Sequence, residues 1–123
     1  MNGTRGILLF AHGSRDARWR EPVEAVARRV AERDPAARVA CAYLEMVEPD
    51  LPTAAAEMVR HGATAIRVVP LFLGIGKHVR EDLPLLLAQL QAAHPGVEFV
   101  LQRAVGEEPA LVDLLARIAL AGG

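Results

Sequence analysis

Hydrophobic positions along the chain fall into two alternating kinds of block. Short, nearly unbroken apolar runs cover Gly6 to Ala11, Arg38 to Leu44, Ala65 to Leu71 and Val97 to Leu101. Such runs suit strands buried on both faces of a sheet. Between them, apolar residues recur at helical spacing. Trp19, Val23, Val26 and Val30 predict a helix over Trp19 to Arg33. Leu51, Ala55, Met58 and Val59 predict a second, with Asp50 as N-cap and His61-Gly62 as its end. Leu83, Leu86, Leu87 and Leu90 predict a third from about Glu81 to Ala93, with Glu81 and Asp82 at its start and Pro84 in its first turn. The last starts near Glu107 or Glu108, takes Pro109 in its first turn and runs through Leu111, Leu114, Leu115 and Ile118.

Four strand–helix alternations call for an α/β fold: a four-stranded parallel sheet, doubly wound, with helices on both faces. Right-handed crossovers favour the order 2-1-3-4, which sets the first and third strands side by side. The whole chain, 1–123, reads as one domain without repeats or linkers. In such sheets ligands bind beyond the carboxyl ends of the strands, where the winding direction reverses.

Composition narrows the function classes. A net charge of −1 and an aromatic fraction of 4% argue against a nucleic-acid surface. No charge-free run approaches the ~18 residues of a membrane helix. No apolar stretch with a cleavage pattern follows Arg5, so no secretory leader is expected. Cys41 is the only cysteine, which excludes an internal disulfide and fits a reducing, cytoplasmic setting. Inside the second strand it reads as a small packed hydrophobe.

Two of the four histidines stand apart. His61 and His94 fall at helix ends before a breaker, where a cation meets the negative end of the dipole. His12 and His78 instead follow the first and third strands, so the topology brings both to one rim. Neutral imidazole ligates divalent transition metals and moves protons near pH 7. Glu45 ends the second strand on the same rim. Gly74 and Gly76 are expected to supply positive φ or a close approach to a ligand. Neither the Walker loop nor the dinucleotide fingerprint is present, and Ser14 lacks the nucleophile-elbow context. Arg15, Arg18, Lys77 and Arg80 lie close to the two histidines and would form a basic rim.

Three stretches together, Leu9-Phe10-Ala11-His12-Gly13-Ser14-Arg15-Asp16, Ala42-Tyr43-Leu44-Glu45 with Pro49, and Val69-Pro70-Leu71-Phe72-Leu73 through Gly76-Lys77-His78-Val79-Arg80-Glu81-Asp82, resemble the short class II chelatases. These are the sirohydrochlorin cobalto- and ferrochelatases of the CbiX/SirB type. The resemblance implies insertion of a divalent metal (cobalt, iron or nickel) into an acidic tetrapyrrole, in cobalamin or siroheme biosynthesis. It implies that His12 and His78 hold the metal and assist proton removal, with Glu45 as a third catalytic residue. Ser14, Arg15, Gly74, Gly76, Lys77 and Arg80 are the candidate substrate contacts. No permanent cofactor is implied, since the metal is itself a substrate. A chain this short resembles the single-domain form, which builds its cleft as a homodimer. Two alternatives stay open: a non-catalytic carrier of metal or tetrapyrrole, and a histidine phosphatase, although Ala11 stands where that chemistry wants an arginine.

Overall fold

The computed structural model describes residues 3–122, so residues 1, 2 and 123 of the expected domain lie outside the described residues. Strands β1 (Thr4–Ala11), β2 (Arg38–Tyr43), β3 (Ala63–Pro70) and β4 (Glu98–Leu101) form one parallel sheet in the order β2-β1-β3-β4, as the alternation predicts. Helices α1 (Glu21–Arg33), α2 (Leu51–Arg60), α3 (Lys77–Ala93) and α4 (Pro109–Ala121) follow the strands in turn. Short 3₁₀ turns at Ala17–Arg20 and Val105–Glu107 lead into α1 and α4.

The core lies on one face of the sheet. Leu8, Phe10, Ile66 and Val68 project from β1 and β3 onto Ala55 and Met58 of α2 and Leu83 and Leu90 of α3. Side chains alternate between faces, so Cys41, between the core residues Ala40 and Ala42, faces α1, with its Sγ 3.9 Å from the Val23 carbonyl oxygen. Helix α2 begins as its sequence requires: the Asp50 carboxylate accepts from the Thr53 amide at 2.9 Å, and hydrogen bonding from the Thr53 side chain, then from this amide, holds its pKa below the usual value. Gly62, at φ 97°, ends it in a conformation that costs glycine nothing.

Several expectations fail, each for a physical reason. The segment from Trp19 does not begin a continuous helix: a 3₁₀ turn covers Ala17–Arg20, and α1 starts at Glu21. Trp19 and Val26, expected in its buried stripe, are exposed, while Val23, Ala27 and Val30 are half-buried. Helix α3 starts four residues earlier than expected, at Lys77, because Gly76 serves as an extended N-cap. Its first turn therefore carries Lys77, His78 and Arg80 and no acidic residue, with Glu81 and Asp82 displaced to the second turn. Pro84 consequently lies in the helix interior, where it removes the amide that would have met the Arg80 carbonyl.

Helix α4 stands away from the sheet and packs chiefly on the 3₁₀ turn before it. Val112, Leu114, Leu115, Ile118 and Leu120 are all exposed. On the α1 side of the sheet, Val69 of β3 is only half-buried and Val100 of β4 is exposed. One chain thus leaves both an apolar helix and an apolar strip of sheet without a partner.

Candidate functional site

β1 and β3 run in register to Phe10 and Pro70, and the ladder continues one step into the loops. The Leu71 amide donates to the Phe10 carbonyl at 2.7 Å, and the Leu44 amide to that of Ala11 at 2.8 Å. Three loops therefore leave the sheet from one edge, held by backbone bonds. They bring together His12, Glu45 and Phe72, which are far apart in sequence.

Glu45 is bidentate toward the first loop. One carboxylate oxygen lies 3.2 Å from Nδ1 of His12, and the other accepts the Gly13 amide at 2.8 Å. Only glycine fits at position 13, because a Cβ there would collide with the Glu45 backbone carbonyl. Met46 then takes a left-handed conformation, φ 75°, which is uncommon for a side chain of its size. In that turn the Val47 amide donates to the Glu45 carbonyl at 2.9 Å. The His12 ring rests on Phe72, with centroids 4.7 Å apart and planes inclined at 59°. The indole N–H of Trp19 donates to the His12 carbonyl at 3.2 Å.

This arrangement assigns the tautomer. A carboxylate can only accept, so the ring proton sits on Nδ1 and the lone pair of Nε2 is free for a metal or a proton. Half of the His12 side chain is exposed, so that lone pair is reachable.

His78 is placed differently. It is not on the glycine loop, as expected, but in the first turn of α3 and exposed. Among the described residues it forms no hydrogen bond with His12 or Glu45, and no three His, Cys, Asp or Glu side chains converge as a metal cage. Gly74 and Gly76 are not at positive φ, contrary to expectation; both have open space where a Cβ would go, and Gly76 caps α3. Ser14 accepts the Asp16 amide at 3.1 Å, and Asp16 caps the following turn by accepting the Arg18 amide at 2.9 Å. Arg15, Lys77 and Arg80 of the expected rim are exposed; Arg18, also exposed, folds back onto Asp16 at 3.4 Å. Arg80 lines a cavity of about 360 Å3 between α3 and the end of β4, where Arg103 is already paired with Glu108.

Two residues of this site escape a reading of the sequence. Trp19 reads as part of a helical stripe and Phe72 as the end of a buried run. Only the aromatic character of Phe72, within a motif that leads to a histidine, hints at a ring stacked on it. The other two histidines sit at the C-terminal ends of helices α2 and α3. His61 Nδ1 lies 2.9 Å from the Glu57 carbonyl, and His94 packs near Phe99 at 6.0 Å between centroids.

Two titratable groups of β2 have raised pKa values. Burial raises the pKa of the half-buried Cys41 thiol. Burial, followed by the nearby Cys41, pushes the Tyr43 phenol up to about 12. Both line a cavity of about 610 Å3 with Arg20, Glu24 and Glu48, but neither can move protons at neutral pH. A cavity of about 300 Å3 between β2 and α2 has no imidazole in its wall.

Comparison with known proteins agrees with the motifs. A family model, CbiX, matches residues 6–120. The chain belongs to the CbiX family. It is 32% identical over 110 residues to a sirohydrochlorin cobaltochelatase of Sulfolobus acidocaldarius, covering 89% of this chain and 85% of that protein. It is 28% identical to the chloroplastic sirohydrochlorin ferrochelatase of Arabidopsis thaliana, covering 89% of this chain but 49% of that protein. Among solved structures, a CbiX protein from Marinobacter aquaeolei VT8 superposes with a TM-score of 0.82 at 36% identity over 96% of both chains. The sirohydrochlorin chelatase SirB from Bacillus subtilis, in complex with cobalt, gives 0.72 at 27% identity over 83% of this chain and 44% of that one. This CbiX-family chain thus spans most of some relatives and about half of others.

Proposed function

We propose that this chain inserts a divalent metal, cobalt or iron with nickel as a further candidate, into sirohydrochlorin. The observation that carries the proposal is the His12–Glu45 pair: a half-exposed imidazole whose Nδ1 proton is held by a carboxylate and whose Nε2 is free. Its support from outside is family membership and relatives named as sirohydrochlorin cobalto- and ferrochelatases.

The reaction joins a divalent ion to four ring nitrogens and releases two pyrrole protons. An imidazole suits both halves. It binds cobalt, iron or nickel without the grip of thiolates, and it accepts a proton at neutral pH. Once the ion has left Nε2 for the ring nitrogens, the vacated lone pair can take up a pyrrole proton, and Glu45 stabilises the imidazolium formed. A metal bound by few protein ligands keeps coordination positions for the incoming macrocycle, and nothing in this chemistry calls for a permanent cofactor. In this reading His78 is the second ligand and base, delivered from the facing rim. Lys77 and Arg80, with the free amides of the α3 N-terminus, meet the substrate's carboxylates. Arg15 and the open backbone at Gly74 and Gly76 extend that contact, while Ser14 shapes the turn that presents it.

The working form is a homodimer. One sheet edge supplies a rim and half of a cleft for a flat macrocycle. The exposed apolar stripe of α4 and the uncovered strip around Val69 and Val100 are complementary in character, and α4 does not turn back onto its own sheet. Docking α4 of a second copy on that strip would bury both and make an isologous contact. Among the described residues no helix is long and apolar enough to cross a membrane; the cytoplasm is taken as the compartment on the chemistry of a single, unreactive cysteine.

The test is insertion of Co2+ and Fe2+ into sirohydrochlorin by purified protein, followed by absorbance at excess substrate. Many turnovers per protein are expected. Stoichiometric binding without turnover would make the chain a carrier instead.

A further inference from the structure

Trp19 is the single tryptophan of the chain, and it is 55% exposed. Its indole is not loose, because its N–H is bonded to the His12 carbonyl and one edge of the ring is thereby pinned beside the imidazole. Next to it opens a cavity of about 310 Å3 whose apolar wall is Trp19, Pro22, Val23 and Leu71, with His12 and Arg18 as its polar members. Burying an aromatic ring is among the larger hydrophobic gains open to a side chain. Here the ring is instead fixed and left half open next to a metal-ligating side chain.

We propose that Trp19 positions the substrate, its indole packing against one pyrrolic edge of the macrocycle. This deepens the chelatase reading and rests on it. Three features of the cavity select a flat, apolar, carboxylate-bearing ring. The wall is aromatic and aliphatic, so it gains by covering a π-face and offers few hydrogen bonds to a polar ligand. Its volume is at the small end of ligand sites, so it takes a corner of the ring and leaves the rest in the wider cleft. Arg18 stands at the same cavity, where its guanidinium can turn from Asp16 to a peripheral carboxylate. Because Trp19 and His12 line one cavity, a ring packed against the indole lies beside His12.

Two other roles could account for an indole here: fastening the His12 loop alone, or forming part of the surface that a partner's α4 covers. Binding of metal-free sirohydrochlorin to the full-length wild type, Trp19→Phe and Trp19→Leu separates them, together with kcat for each and acrylamide quenching of the substrate-free wild type. The expected result is affinity about tenfold or more weaker for Trp19→Leu, within the range that aromatic stacking on planar rings supplies. Trp19→Phe should stay within about threefold of wild type. At saturating substrate, kcat should fall less than affinity, and the free protein's tryptophan should be quenched readily. Equal affinity in all three proteins would overturn the proposal. So would a Trp19→Phe variant as weak as Trp19→Leu, which would make the bond to His12 the active element. A tryptophan shielded from acrylamide in the substrate-free dimer would assign the indole to the subunit contact. Failure of the wild type to bind sirohydrochlorin would remove the chelatase reading and this inference with it.

Discussion

Glu45 holds His12 twice over, by the ring at Nδ1 and by the amide of the next residue, Gly13. The imidazole is thus fixed in tautomer and in place from one side chain, on a loop that begins 33 residues later. Carboxylate partners of metal-binding histidines typically contribute about 10–100-fold to affinity or activity. Glu45→Gln should therefore fold normally and lose activity by that order, since an amide neither stabilises the imidazolium nor dictates the tautomer. Retention of full activity would dissociate Glu45 from the chemistry.

The histidines divide by position. His12→Ala and His78→Ala should each reduce insertion ~10²–10⁴-fold, the usual cost of losing a positioned proton acceptor. His61→Ala and His94→Ala should remain near wild type, because their partners are the Glu57 carbonyl and Phe99. The measurement is initial insertion rate for all four at equal folded concentration. A uniform loss would remove the distinction.

Helix α4 makes the dimer testable. Leu115→Asp with Ile118→Asp places two charges on its exposed stripe, which should give a folded monomer by sedimentation and greatly weakened insertion. A dimer that survives both charges, or a monomer with full activity, would contradict the α4 contact.

The first turn of α3 sets stability against function. The positive charges of Lys77 and Arg80 both oppose the positive end of the helix dipole. Exposed charges at a helix end are worth roughly 0.3–1 kcal/mol each, so Lys77→Gln should raise the unfolding midpoint slightly. It should also raise KM more than it lowers kcat and, with Arg80→Gln, flatten the salt dependence of kcat/KM. Unchanged KM and salt slope in the double variant would leave the two as ordinary surface charges.

Asp50 gives a pH prediction. Its carboxyl is held below the usual value by the Thr53 side chain and then by the Thr53 amide. A depressed folded pKa means stabilisation that is present above the unfolded carboxylate range and is lost as pH falls through the folded value. Asp50→Ala should cost ~0.5–2 kcal/mol at pH 7. That difference should shrink below about pH 4, as denaturant unfolding at several pH values would show. A gap independent of pH would assign the cost to helix propensity.

The local rules were written openly in the chain. Apolar runs such as Gly6 to Ala11, the cap at Asp50 and the left-handed Gly62 are short-range devices, so the sheet order and the edge that bears the site follow from the sequence. His12, Glu45 and His78 were legible as candidates for the same reason, through strand ends and motif. Other features depend on contacts across dozens of residues, which periodicity does not encode. The start of α3 turned on Gly76 adopting an extended cap, and that moved His78 from loop to helix. The stripe of α4 has the same spacing as a buried one, yet it lies clear of the sheet because the helix packs chiefly on the 3₁₀ turn before it. Trp19 and Phe72 carried ordinary hydrophobic patterns, and only folding brought their rings to His12. The sequence by itself determined which residues reach the strand edge; the tertiary structure decided which of them touch, because a hydrogen bond or a stacked ring forms only where separate loops converge.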